Sequence, residues 1–221
     1  MNWTVFFFEL GYLLNIIGIC VLIRNIIKKK HVEGISFYTQ LLFAISTFSK
    51  VFFFWFTVLR DFLLCWVELI LSLSLTLILM YLLNKYRKMS FVKEKNHFDW
   101  RIIMVVSIVL SILSNYEKDD DFEFSQMMIR FSIIVEAIGL LPQLHFMKIE
   151  KYVPQFFGQY LVAIAVSRVA RIGFWIFQLK YNETDSTYYT LILSDIGYLL
   201  LTADVVYNFF KHRDSTLIPY F

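Results

Sequence analysis

Apolar residues in this chain fall in long runs separated by short polar stretches, and the runs have helix length rather than strand length. Spans are expected at about Trp3 to Ile27, Ser36 to Leu59, Phe62 to Leu83, Arg101 to Ser114, Phe124 to Met147, Phe156 to Gln178 and Thr187 to Phe210. A crossing helix takes about 20 residues, so the 221 residues hold seven such runs, short connections and no separate soluble domain. The fourth run is short for a full crossing. The fifth contains FSIIVEAIGLLPQLHFM, in which one acid, Glu136, stands among apolar residues. A carboxylate in that setting must be paired or protonated, and Lys50, Arg168 and Arg171, each inside another apolar run, are its candidate partners.

Charge alternates between the connections. Arg24, Lys28, Lys29 and Lys30 follow the first run, a basic group from Lys85 to Lys95 follows the third, and Lys148 and Lys151 follow the fifth. Glu117 to Glu123 is acidic, Lys180 to Ser186 is mixed, and the tail at 211–221 opens with Lys211, His212 and Arg213. The positive-inside rule then places the amino terminus in the lumen or outside and the carboxyl terminus in the cytosol, which requires an odd number of spans.

The runs also repeat. Phe37 to Ile45 and Phe156 to Ile164 both read F-x-x-Q-x-L-x-A-I, and Glu9 with Leu13-Leu14 matches Glu136 with Leu140-Leu141. One membrane domain over 1–221 is expected, made of two parallel three-helix repeats at about 3–83 and 124–210 with a linking helix at about 101–114. A binding site belongs at the interface of such halves.

Composition sharpens this picture. The chain is 58% hydrophobic and 19% aromatic, with a mean hydropathy of +0.61, outside the range of soluble domains. Cys20 and Cys65 lie inside apolar runs and read as small buried hydrophobes. The first run carries Glu9 and Asn15 and ends in lysines, unlike a cleavable signal. No nucleophile elbow, paired catalytic acids, metal-ligand spacing or phosphate-cradling glycine loop is present; an enzyme is not expected, and neither is a cofactor, a metal or a nucleic-acid partner. His31, His97, His145 and His212 fall in or beside basic connections and read as solvated.

On helices, the embedded polar residues form stripes. Arg168, Arg171, Trp175 and Gln178 share one face of the sixth run. Glu9 and Tyr12 share a face of the first, Glu68, Ser72 and Thr76 one of the third, and Asp195, Tyr198 and Thr202 one of the seventh. With Lys50 and Glu136 these stripes line a polar cavity, which is either a ligand site or a set of ion pairs that fixes helix register. Glu68 and Asp204 suit the structural role best, and Trp175 suits core packing as well as ligand contact.

These residues resemble the endoplasmic-reticulum lumen protein retaining receptors, the KDEL receptor family. The resemblance is carried by Gly34-Ile35-Ser36 with Gln40 to Ala44, Phe131-Ser132-Ile133 with Glu136, Leu141-Pro142-Gln143-Leu144, Tyr160-Leu161, Arg168, Trp175-Ile176, and Asp204 with Tyr207. It implies a SWEET-like and PQ-loop-like bundle in the endoplasmic reticulum and Golgi membranes. It also implies a receptor that binds the carboxy-terminal retention tetrapeptide of escaped lumenal proteins in acid and releases it at neutral pH. By that resemblance Glu136 and Arg168 stand at the family's gating pair, Trp175 at its cavity tryptophan, and Lys50 where an arginine meets the peptide carboxylate. The family's early arginine corresponds to Val5 or Phe8, and its pH-sensing histidine to Tyr12 or Asn15. Its two cavity tyrosines correspond to Ser167 and Arg171, its asparagine to Phe174 and its distal arginine to Gln178.

The expected ligand-binding set is therefore Lys50, Glu136, Arg168, Arg171 and Trp175, with Glu9, Tyr12 and Glu136 as possible pH-sensing groups. Lys211 and Arg213 stand in a tail that resembles in position the family's contact with the retrograde vesicle coat, the remaining partner beside peptide and membrane lipid. Two other readings fit the architecture: a SWEET or PQ-loop type small-solute transporter, and a non-binding trafficking or scaffold relative. The transporter class commonly has a Pro-Gln pair in both repeats, whereas Pro142-Gln143 has only Asn15-Ile16 opposite it.

Overall fold

The computed structural model describes residues 3–30, 32, 34–56, 63–87, 99–115, 124–150, 155–181 and 186–213. Among them the regular structure is entirely helical: α1 Trp3–Lys29, α2 Phe37–Phe56, α3 Leu63–Arg87, α4 Trp100–Asn115, α5 Phe124–Ile138, α6 Leu141–Glu150, α7 Gln155–Tyr181 and α8 Ser186–Arg213. Four apolar stretches, Phe6–Lys29, Trp66–Tyr86, Phe124–Lys148 and Phe157–Phe177, are long enough to cross a bilayer core. Phe37–Phe53 and Trp100–Ser114 are apolar and shorter. Leu13, Leu63, Val105, Leu113, Leu193 and Leu200 point outward uncovered, the surface expected of helices solvated by lipid.

The fifth run is not one helix. Pro142 has no N–H to give the carbonyl of Ile138, so the backbone ladder that closes with Gly139 N–H on Val135 at 2.8 Å breaks and resumes with Leu144 N–H on Leu140 at 2.9 Å. Gly139 permits the break: a Cβ there would lie 2.6 Å from the Val135 carbonyl oxygen and 3.3 Å from the ring of Phe43. Just beyond, the fully buried Gln143 clasps the turn between α1 and α2. Its Nε2 donates to the Gly34 carbonyl and its Oε1 accepts from Ser36 N–H, both at 2.8 Å. Gly34 holds a φ of 78°, a conformation that glycine adopts at no steric cost.

The helices pair in a definite pattern. α1 packs on α7 and α2 on α5; α2 packs on α3 and α7 on α8; α1 packs on α3 and α5 on α8, while α4 lies against α5. Small residues line two of these contacts. Between α1 and α7 a Cβ on Gly11 would lie 3.0 Å from Arg171 Cγ, one on Gly18 3.0 Å from Ala163 Cβ, and Ser167 Oγ donates to the Gly11 carbonyl at 2.6 Å. Between α2 and α5, Ser46 and Ser132 are both fully buried and their hydroxyls meet at 3.0 Å. The main apolar core, with Leu22, Ile26, Leu79, Leu83, Met147, Phe157 and Val205, gathers around Tyr160 and Tyr198.

Motif likeness did not bring likeness of surroundings. Gln40 is buried, with its amide 3.5 Å from the Tyr160 hydroxyl, whereas Gln159 is exposed. The acidic stretch at 117–123, His31, His97 and the residues beyond 213 lie outside the described residues, as do the side chains of Val5, Cys65, Gln178, Lys211, His212 and Arg213. Cys20 is exposed rather than buried, because its position on α1 faces outward at an open groove beside α3.

Candidate functional site

The apolar runs deliver their charged residues to one layer across the bundle. Glu136 of α5 receives Lys50 of α2 at 2.7 Å on Oε1, and on Oε2 it receives Arg168 at 3.0 Å and Arg171 at 3.4 Å, both from α7. All three partners proposed for this acid are therefore on it. Three-residue spacing puts Arg168 and Arg171 on one face of α7, and the glycine-lined contact with α1 holds that face inward. The layer is dry enough to matter: Glu136 is 8% exposed and Arg168 6%.

A second carboxylate completes it. Asp195 of α8 is 1% exposed; its Oδ1 accepts from Arg168 at 3.0 Å and faces Arg171 at 3.4 Å, and its Oδ2 accepts from the Trp175 indole N–H at 2.8 Å. The site set read from the sequence omitted Asp195, although the Asp195, Tyr198, Thr202 stripe marked it. Tyr198 lies behind the layer, with the Arg168 guanidinium 4.0 Å over its ring, a cation–π contact.

Two small cavities flank the layer, each of about 30 Å³, space on the order of one or two waters. One is lined by Tyr12, Asn15, Thr47, Lys50, Glu68, Leu69, Ser72, Glu136, Ser167, Arg168 and Arg171. The other is lined by Asn15, Gln40, Thr47, Ser72, Thr76, Tyr160, Arg168 and Tyr198 among others. Glu68 faces the first cavity without an ion pair of its own among the described residues. Glu9 is exposed and lines neither, so of the possible pH-sensing groups only Tyr12 and Glu136 face a cavity. Phe174 packs between Phe8 and Trp175, at ring distances of 5.3 and 4.6 Å. Asp204 pairs at 3.5 Å with Lys148 in an exposed position, away from the layer.

Fold and site together define a class: an all-helical membrane protein with a buried charge layer closed over water-sized cavities. The profile of the family "ER lumen protein retaining receptor" matches residues 31–178, and the chain belongs to that family. It is 26% identical over 207 residues to an ER lumen protein-retaining receptor of Caenorhabditis briggsae, covering 89% of this chain and 92% of that one. The receptor of Kluyveromyces lactis is 27% identical, with 84% of this chain and 87% of that protein covered. ER lumen protein-retaining receptor 3 of Xenopus laevis is 29% identical, with 76% of each covered.

Proposed function

We propose that this chain is a retention receptor: it binds the carboxy-terminal tetrapeptide of escaped lumenal proteins and returns them from Golgi to endoplasmic reticulum. The observation that carries the reading is the layer itself, since Lys50, Arg168 and Arg171 converge on Glu136 inside the stretch 31–178 that matches the family. Desolvated cations bind a carboxylate strongly and selectively. Lys50 keeps donors to spare beyond its single bond to Glu136, so it is the natural anchor for a terminal carboxylate.

Cavities of about 30 Å³ do not hold a tetrapeptide, so binding opens the bundle beside Lys50 and Arg171. The chain lies in endoplasmic-reticulum and Golgi membranes with its amino terminus lumenal, and its basic tail offers the retrograde coat a handle. The two-repeat architecture is supported by the pairing pattern: exchanging α1, α2, α3 for α5, α7, α8 turns each of the three kinds of helix contact into its counterpart.

The test is binding of labelled tetrapeptides, K-D-E-L and variants, to the purified protein in detergent at mildly acidic and neutral pH. Saturable binding, stronger in acid and lost when the terminal carboxylate is amidated, is expected. Equal binding of the amidated peptide refutes the reading.

A further inference from the structure

We propose that Asp195 sets the charge of the ligand this chain reads: a peptide with a free terminal carboxylate whose neighbouring side chains are uncharged rather than acidic. The inference rests on the receptor reading and narrows its substrate.

Asp195 stands behind Arg168 and Arg171 on the α8 side and binds as an acidic ligand side chain would, with both oxygens engaged. Glu136 takes the same two arginines from α5. Each guanidinium therefore meets two carboxylates before any ligand arrives. The Trp175 indole, a possible donor to a peptide, gives its N–H to Asp195.

The charge count over every helix at the site points the same way. α2 supplies Lys50 and α7 supplies Arg168 and Arg171; α3 supplies Glu68, α5 Glu136 and α8 Asp195; α1 supplies only the uncharged Tyr12 and Asn15. Among the described residues, the three cations are paired with two acids, Glu136 and Asp195, which leaves charge for one more. One incoming carboxylate can be placed on Lys50, which has a single acid partner. A second acidic group finds the arginines already matched by Glu136 and Asp195. Asp195 also lies beyond residues 31–178, so the matched family stretch does not contain it.

The experiment uses the purified full-length chain in detergent and three labelled tetrapeptides: K-D-E-L, its amide counterpart K-N-Q-L, and K-N-Q-L with an amidated carboxyl terminus. The unaltered chain is expected to bind K-N-Q-L at least as tightly as K-D-E-L and to lose the amidated peptide. Asp195→Asn leaves Arg168 and Arg171 with Glu136 as their one acid and is expected to shift the preference toward K-D-E-L by about tenfold or more. The double variant Asp195→Asn with Arg171→Gln removes one charge of each sign and returns the preference to that of the unaltered chain. It also guards against a fold defect in the single variant. A preference of about tenfold for K-D-E-L in the unaltered chain overturns the inference while leaving the receptor reading standing, as does an unchanged ratio in Asp195→Asn. Failure of every free-carboxylate peptide to bind overturns both.

Discussion

Exchanging Glu136 for glutamine keeps the shape of the side chain and removes the charge on which Lys50, Arg168 and Arg171 converge. The amide oxygen can still accept from Lys50, but the amide nitrogen then faces the arginine nitrogens, donor against donor. Two short charge-assisted bonds, at 2.7 and 3.0 Å, and a longer one at 3.4 Å give way to one or two bonds to a neutral acceptor. Bonds to charged groups contribute about 1.5–3 kcal/mol and neutral ones about 1, so the loss is about 3–8 kcal/mol, its lower end applying because the bond at 3.4 Å is weak. That agrees with the cost of breaking a buried ion pair by removing one partner, also about 3–5 kcal/mol. The assay is thermal unfolding of the purified protein in one detergent, where this loss lowers the midpoint by on the order of 10 °C. Adding Lys50→Met removes the cation left with no acid and is expected to recover part of that drop. An unchanged midpoint for Glu136→Gln would refute the claim that the layer is a desolvated, mutually dependent cluster.

Gln143→Ala leaves Ser36 N–H and the Gly34 carbonyl without their buried partner, and is expected to cost about 2–4 kcal/mol, read in the same unfolding assay. Gly139→Ala presses a Cβ against the Val135 carbonyl, and a loss of about 1–3 kcal/mol is expected; a neutral result would show that the break between α5 and α6 adjusts freely. Asp204→Asn removes the charge from an exposed pair with Lys148 at 3.5 Å, so stability should move by less than about 1 kcal/mol and peptide binding should stay the same. Lys50→Met should abolish peptide binding while Lys50→Arg retains it, measured by saturation with labelled tetrapeptide.

The helices and the heart of the layer were legible because both follow from rules that act locally or admit few solutions. Apolar run length marks the helices to within a few residues, except that the fifth run is divided at Pro142 into α5 and α6, and a lone acid such as Glu136 in apolar sequence has few cations able to reach it. Spacing fixes which residues share a face, as for Arg168 with Arg171, but not which neighbour that face meets. Asp195 was visible only as a stripe with Tyr198 and Thr202; that it meets the arginines depends on how α8 lies on α7. Glu9 shared its motif with Glu136 yet faces outward, since a repeat in sequence does not fix the rotation of a helix about its axis. The clasp by Gln143 joins residues 107 and 109 positions apart, a distance over which no periodicity speaks.

That clasp constrains how the molecule can open. Gln143, the Ser46–Ser132 contact and the Lys50–Glu136 bond zip α2 and the turn before it to the α5 and α6 unit, while the glycine-lined contact zips α1 to α7. Each zipper joins a helix from before α4 to one from after it, so the two halves of the sequence cannot rock apart as rigid blocks. The seam that remains runs between the zipped pairs, crossed by the bonds from Arg168 and Arg171 to Glu136. Opening along it breaks side-chain bonds and leaves the backbone ladder of every helix whole.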